Sequence, residues 1–402
     1  MPQPVLVSGA RTPIGRFLGS LSSQPATALG AVAVRAALDR AGIIGEQVDE
    51  VIMGNVVQAG AGPNPARLAA VGGGIPMTVP AVTVNKLCLS GLAAIAQAAS
   101  QVAVGYSEIV VAGGMESMSN APHLLPGARA GYKYGYGAVE DALDKDALVC
   151  AFDGISMGAA TERYQAGLGI NRQDQDAFAA ESHARAAAAI KEGRLAEEIV
   201  PVATVRGRKG DVTVEGDEGV RPGTTPERLA ALPSAFAADG TITAGSASQL
   251  SDGACAVVVT SAGRARELGL RWIAEIGAYG TVAGPDPSLL LQPANAIRDA
   301  LRRDSRGREG SMSIGELDLV EINEAFAGVP LASARQLGVP LDRVNVNGGA
   351  IALGHPVGMS GARLVLSLAL ELHRRGGGTG AAALCGGGGQ GDALILRVPE
   401  RQ

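Results

Sequence analysis

Four segments of this 402-residue chain set reactive side chains in turns beside helix starts or strand ends. The first is N-K-L-C-L-S-G at 85–91, after a strand-like run and opening a helix-like one. A thiol there, Cys88, would sit near the positive end of a helix dipole and close to free backbone N–H groups. Such surroundings favour thiolate, the nucleophilic form. The other reading is a small buried hydrophobe, as most free cysteines are. The second segment is G-H-P-V-G-M-S-G at 354–361, where Gly and Pro would fix the orientation of His355. A rigidly held imidazole is a suitable base for activating a thiol. The third, C-G-G-G-G-Q-G at 385–391, places Cys385 at a strand end followed by glycines that let backbone amides approach a ligand. It also fits G-x-G-x-x-G, but the run 393–398 that follows is strand-like, so a dinucleotide site is rejected. The fourth is N-E-A-F-A at 323–327, where Asn323 and Glu324 are either site residues or helix caps.

The elements that must carry these turns alternate short β-branched runs with Ala/Leu-rich amphipathic ones. Strands are predicted at 5–8, 48–53, 79–84, 108–111 and 255–260, and helices at 26–41, 63–71 and 89–104. In the last, Leu92, Ile95, Ala96, Ala99, Val102 and Ala103 recur at helical spacing. This alternation implies an α/β fold with a largely parallel sheet between helices. From 116 to about 245 the pattern breaks into Pro, Gly and Tyr clusters, one long helix near 172–192 and two β-like runs near Val202 and Val212. That is too long for a connection and reads as a functional insert. The halves also look duplicated. A strand at 82–85 leads to Ser90-Gly91, a helix and a strand ending in Gly113-Gly114. A strand at 344–347 leads to Ser360-Gly361, a helix at 362–374 and a strand ending at 386–388. Two such halves would bring their polar turns to one cleft.

Composition excludes several classes. With 47% hydrophobic and 18% charged residues the chain is globular. Its 34 Lys/Arg against 39 Asp/Glu give a net charge of −5, which argues against a nucleic-acid partner. The short basic cluster Arg206, Arg208 and Lys209 stands alone. Four scattered cysteines give neither a disulfide framework nor zinc spacing. No secretory signal is read in residues 1–15, and apolar stretches are interrupted before membrane-spanning length, so a reduced cytoplasmic setting is expected. Of the remaining histidines, His183 and His373 are expected on solvent-facing helix surfaces, whereas His123 is either structural or near the site.

Together the four segments resemble one family, the thiolases. The resemblance runs over nearly the whole chain, from S-G-A-R-T-P-I-G at 8–15 through G-G-M-E-S-M-S at 113–119 and T-A-G-S-A-S-Q-L-S-D-G-A at 243–254. It implies a duplicated α/β fold layered α-β-α-β-α, with one half formed by 1–115 and 246–272 and the other by 273–402. Residues 116–245 would form the insert for coenzyme A binding and oligomer contacts. It further implies that Cys88 is acylated, that His355 takes its proton and that Cys385 is the second acid/base. Asn323, through a water, and His355 would hold one oxyanion; the amides of Cys88 and Gly387 would hold the other. Leu148, Met157, Arg221, Phe236, Ala244 and Ser248 match positions along the coenzyme A path. Coenzyme A enters as substrate or product, acyl-CoAs are the partners, and no permanent cofactor or metal is implied. A dimer or tetramer is expected.

Two departures bear on chain length. Ser156 stands where many short-chain members carry His, and L-L-L-Q-P at 289–293 replaces a Met-Gly-x-Gly-Pro segment beside the acyl pocket. The segments around Cys88 and His355 are nonetheless most similar to biosynthetic acetoacetyl-CoA thiolases, which implies condensation of two acetyl-CoA. The alternatives are a 3-ketoacyl-CoA thiolase of fatty-acid breakdown, a non-catalytic acyl-CoA-binding relative and a decarboxylating condensing enzyme, which would leave Cys385 unexplained.

Overall fold

The computed structural model describes residues 1–205, 211–304 and 311–399. The Arg206–Lys209 cluster lies outside them. The nine long strands of the central sheet are β1 (Pro4–Arg11), β2 (Glu50–Gly54), β3 (Ala81–Val84), β4 (Ile109–Ser117), β5 (Ser251–Ser261), β6 (Ala274–Ala283), β7 (Leu319–Ile322), β8 (Gly378–Gly386) and β9 (Gln390–Val398). They run in the order β7-β8-β9-β6-β1-β5-β4-β2-β3, and the two-residue strand Gly15–Arg16 pairs with β5 off this path. The principal helices are α1 (Ala26–Ala41), α2 (Pro65–Gly72), α3 (Ser90–Val104), α4 (Met157–Gln165), α5 (Arg172–Lys191), α6 (Gln292–Arg303), α7 (Gly328–Leu337) and α8 (Ser360–Arg374).

The sheet is mixed, which corrects the expectation of a largely parallel one. Only β2–β3, β2–β4 and β7–β8 are parallel; β1–β5, β5–β4, β6–β9 and β9–β8 are antiparallel. The reason is that β9 turns straight back on β8 through residues 387–389, while β5, reached after the long insert, runs opposite to both β1 and β4. The halves are joined edge to edge by two pairs, Val5↔Glu275 and Leu6↔Ala274.

The same antiparallel–antiparallel–parallel order read outward from β1 and from β6 supports the duplication. The expected strand at 344–347, however, is reduced to a single bridge between Val320 and Val344. Asn345 replaces the ladder with its side chain: Oδ1 accepts the Ile322 N–H at 2.8 Å and Nδ2 donates to the Ile322 carbonyl at 2.8 Å. Its backbone turns to φ 50° there, which ends any strand.

Side-chain alternation builds five layers. Along β5, Ala254, Ala256 and Val258 join the outer core with Leu29, Ala33 and Val34 of α1. Cys255, Val257 and Val259 face the inner core with Ile95 of α3 and Leu364, Val365 and Leu368 of α8. Likewise Ala393 and Ile395 of β9 pack with Ile297 of α6 and Val329 of α7, while Leu394 and Leu396 point inward. The order is therefore α1/α2, first half-sheet, α3/α8, second half-sheet, α6/α7. One sequence expectation needs amending here: the window 87–104 is apolar and long enough to cross a membrane, with mean hydropathy 1.6. In the fold it supplies the central layer, buried from both sides.

The duplicated Ser-Gly pairs explain how the turns converge. A Cβ on Gly91 would lie 2.8 Å from the Ala362 nitrogen, and one on Gly361 would lie 2.5 Å from the Leu92 nitrogen. The first turns of α3 and α8 thus cross backbone to backbone, and glycine alone permits that approach. The turn before α3 carries Cys88 and the turn before α8 carries His355.

Candidate active site

The nucleophile turn is held from both ends. Leu87 adopts φ 54°, and its N–H donates to Asn85 Oδ1 at 3.0 Å. Lys86 Nζ reaches into the second half, donating to Asp392 at 2.7 and 3.0 Å, to Thr281 Oγ1 at 2.9 Å and to the Tyr279 hydroxyl at 3.1 Å. Ser90 closes the turn, donating to the Leu87 carbonyl at 2.6 Å and accepting the Lys86 N–H at 2.8 Å.

Cys88 is half-buried at the floor of a cavity of 480 Å³ that is also lined by His355, Cys385 and Gly387. The expected thiolate is not the resting form. Burial pushes the thiol up to about 11, outweighing the main-chain N–H groups of Cys88 and Gly387 that pull it down; the Glu116 charge adds to the rise. Those two amides nonetheless converge on the sulfur, in the arrangement that would receive an oxyanion formed there. Cys385, one residue from the end of β8, is pushed up by burial and then by the neighbouring Cys88.

His355 is buried and pushed down to about 4, by desolvation first and Arg363 second, so the ring is neutral. Its Nδ1 lies 2.6 Å from Ser360 Oγ, whose own hydroxyl donates to the Pro356 carbonyl at 2.9 Å. Ser360 must then accept, which places the ring proton on Nδ1 and leaves the Nε2 lone pair available. Nε2 faces Asn323 Nδ2 at 3.3 Å. Among the described residues the buried Asn323 Oδ1 has no hydrogen-bond partner.

Asn323 and Glu324 are not helix caps, because α7 begins only at Gly328. Glu324 is instead a buried tie, accepting from Ser182 Oγ at 2.7 Å, Asn345 Nδ2 at 2.9 Å and the Ile351 N–H at 3.0 Å.

Of the residues expected along the coenzyme path, Leu148, Met157, Phe236, Ala244 and Ser248 line the cavity. Arg221 does not; it is exposed, and its backbone N–H donates to His183 Nδ1 at 3.1 Å. His183 is accordingly buried and pushed down to about 4 by desolvation, against the expectation that it faces solvent. His373 and His123 are exposed. Ser156 lines the cavity and caps α4 by accepting the Ala159 N–H at 3.2 Å. Of the three leucines at 289–291 only Leu289 reaches the cavity; Leu290 is buried in the core behind it. Among the described residues no group of three or more His, Cys, Asp or Glu could hold a metal ion.

Residues 4–263 match the model of the thiolase N-terminal domain and residues 270–398 that of the thiolase C-terminal domain. The chain belongs to the thiolase family. It is 55% identical over 394 residues to a probable acetyl-CoA acetyltransferase of Mycolicibacterium smegmatis, covering 98% of this chain and 100% of that one. It is 48% identical to an acetyl-CoA acetyltransferase of Pseudomonas aeruginosa, over 98% and 99% of the two chains. A probable acetyl-CoA acyltransferase of Staphylococcus epidermidis is 46% identical over the same shares. This thiolase is therefore an acyltransferase enzyme, which removes the non-catalytic reading.

Sequence reasoning missed what fixes the two turns. Ser360 counted only as a mark of the duplication, though its spacing of five from His355 across a turn into a helix start was visible. The buried Glu116 lies within G-G-M-E-S-M-S, where nothing in the sequence assigned it a role.

Proposed function

We propose that this thiolase is an acetyl-CoA C-acetyltransferase, condensing two acetyl-CoA into acetoacetyl-CoA and coenzyme A and running thiolysis in reverse. The observation that carries the reading is the convergence of two thiols, one neutral imidazole and two main-chain N–H groups on one apolar cavity.

In the thiolytic direction, His355 Nε2 takes the Cys88 proton as sulfur attacks the keto carbon of acetoacetyl-CoA. The resulting alkoxide sits on the amides of Cys88 and Gly387. Collapse breaks the C2–C3 bond, leaving acetyl on Cys88 and the enolate of acetyl-CoA. The enolate oxygen faces the now protonated His355 Nε2 and a water held by Asn323; Cys385 gives its proton to C2. After acetyl-CoA leaves, Cys385 thiolate takes the proton of incoming coenzyme A, whose sulfur attacks acetyl-Cys88. The second acetyl-CoA departs, and His355 returns its proton to Cys88. The covalent intermediate divides one difficult step into two easier ones and gives ping-pong kinetics. Pantetheine would pass Leu148, Met157, Phe236, Ala244 and Ser248, whereas Arg221 would act on the nucleotide end from the surface.

The test is the kcat/KM for thiolysis of acetoacetyl-CoA against that for a long-chain 3-ketoacyl-CoA, with Cys88→Ala as blank. A preference of about tenfold or more for four carbons, roughly 1.4 kcal/mol, supports the acetyltransferase. Equal or better use of the long chain assigns the enzyme to longer 3-ketoacyl-CoAs and makes Ser156 and Leu289 the cause. We also propose a cytoplasmic setting and, supported by the exposed Tyr132, Tyr134 and Tyr136 of the insert and by Val82 on edge strand β3, a homo-oligomer. A monomer in solution at working concentration would contradict the assembly.

A further inference from the structure

The G-G-M-E-S-M-S segment ends β4 against the His355 turn. A Cβ on Gly358 would fall 2.7 Å from the Met115 carbonyl oxygen and 3.0 Å from the Asn55 Cα, so three chain segments meet there without room for a side chain. Glu116 lies at the junction with none of its surface exposed. Its Oε2 accepts the Val56 N–H at 3.0 Å and the Gly358 N–H at 2.9 Å. Its Oε1 accepts Asn55 Nδ2 at 2.8 Å and the Val57 N–H at 3.2 Å. The loop 55–57 is in turn tied to the nucleophile turn, because Asn85 Nδ2 donates to the Val56 carbonyl at 3.3 Å while Asn85 Oδ1 holds Leu87 in its positive-φ conformation.

We infer that Glu116 is the positioning residue of this active site: its carboxylate ties the turn carrying His355 to the loop that holds the turn carrying Cys88. The inference rests on reading Cys88 and His355 as nucleophile and base. Glu116 touches no reacting atom and does not line the cavity. It acts by setting where the imidazole stands relative to the thiol, a placement on which proton transfer depends steeply.

All four partners are donors, so only the carboxylate form satisfies them; a protonated carboxyl would turn an O–H toward an N–H. Yet desolvation, with a further push from Asp252 on β5, lifts Glu116 to about 7. The titratable neighbours acting with it are Asp252 and, on the nucleophile turn, Cys88. The clamp is therefore held charged at a cost in stability, as befits a functional site.

The test is Glu116→Gln in the full-length enzyme, reading kcat, KM for acetoacetyl-CoA, thermal stability and the rate of iodoacetamide alkylation of Cys88. Gln keeps the shape but sets an NH2 group against N–H donors. A fall in kcat of about 100-fold or more with KM within threefold, together with slower alkylation, is expected. Loss of the negative charge alone would ease ionisation of Cys88 and speed alkylation, so slowing reports geometry. Wild-type kcat/KM should also fall as pH drops through about 7, since the charged clamp is lost, and this limb should vanish in the Gln variant. A kcat within threefold of wild type, faster alkylation with retained kcat, or an unchanged acid limb would each overturn the inference. Should Glu116→Gln fail to fold, Asn55→Ala removes one donor to the clamp and leaves the carboxylate in place. A kcat lowered about tenfold at unchanged KM supports the clamp, and wild-type kcat overturns it. Absence of thiolysis in the wild-type enzyme would instead strike the proposed function, which keeps the two failures distinct.

Discussion

Replacing Ser360 by Ala should lower kcat about 10- to 100-fold while leaving KM nearly unchanged. Ser360 Oγ accepts the His355 Nδ1 proton at 2.6 Å because its own hydrogen is committed to the Pro356 carbonyl. Without it the buried Nδ1–H has lost its acceptor, at a cost of about 1–3 kcal/mol. The ring can then recover by moving its proton to Nε2, the atom that must be bare to take the proton of Cys88. At about 1.4 kcal/mol per tenfold, that penalty on the reactive tautomer gives the stated range. The turn itself should survive, since the Pro356 carbonyl still accepts the N–H groups of Met359 and Ser360, both at 3.0 Å. Ser360 does not line the cavity, so substrate binding should be spared. The assay is steady-state thiolysis of acetoacetyl-CoA on protein whose circular dichroism and Tm show a native fold. A kcat within threefold of wild type would refute the tautomer argument and with it the role given to His355 Nε2.

Gly361→Ala should destabilise the protein by about 3 kcal/mol or more, because the new Cβ meets the backbone of α3 and not a side chain that can rotate away; a Tm equal to wild type would contradict the helix crossing. Asn323→Ala should lower kcat about 10²- to 10³-fold, the usual loss of an oxyanion donor, with little change in the rate of Cys88 acylation by acetyl-CoA, a step that uses the other oxyanion pair. Leu289→Ala should raise kcat/KM for a six-carbon 3-ketoacyl-CoA relative to the four-carbon one by about tenfold, two buried methylenes being worth about 1.6 kcal/mol; an unchanged ratio would place the acyl pocket elsewhere.

Helix α1 was legible to the residue, because Leu29, Ala33, Val34, Ala37 and Leu38 recur at helical spacing and Gly42 in the left-handed region stops it. The mixed sheet was not, since the direction of β5 depends on where the chain returns after the long insert, and the close return of β9 through 387–389 was read only as glycines beside a ligand. Nor was the loss of the strand at 344–347, since an Asn side chain pairing with a backbone leaves no mark in hydrophobic pattern. The local motifs singled out Cys88, His355, Cys385 and Asn323, which the fold brings together, but the direction of the Cys88 shift escaped them. A helix start argues for thiolate, and burial in an apolar cavity argues more strongly against it. His183 was misread because a charged helix sequence does not disclose that the 219–224 segment folds over it to donate the Arg221 N–H.

The central claim is that acetyl rests on Cys88 between two half-reactions. Incubating the enzyme with acetyl-CoA, removing free coenzyme A, quenching in acid and digesting should give a peptide carrying Cys88 heavier by one acetyl group. Adding coenzyme A before the quench should remove it. Turnover of acetoacetyl-CoA without such an adduct, or an adduct on Cys385 instead, would contradict the account.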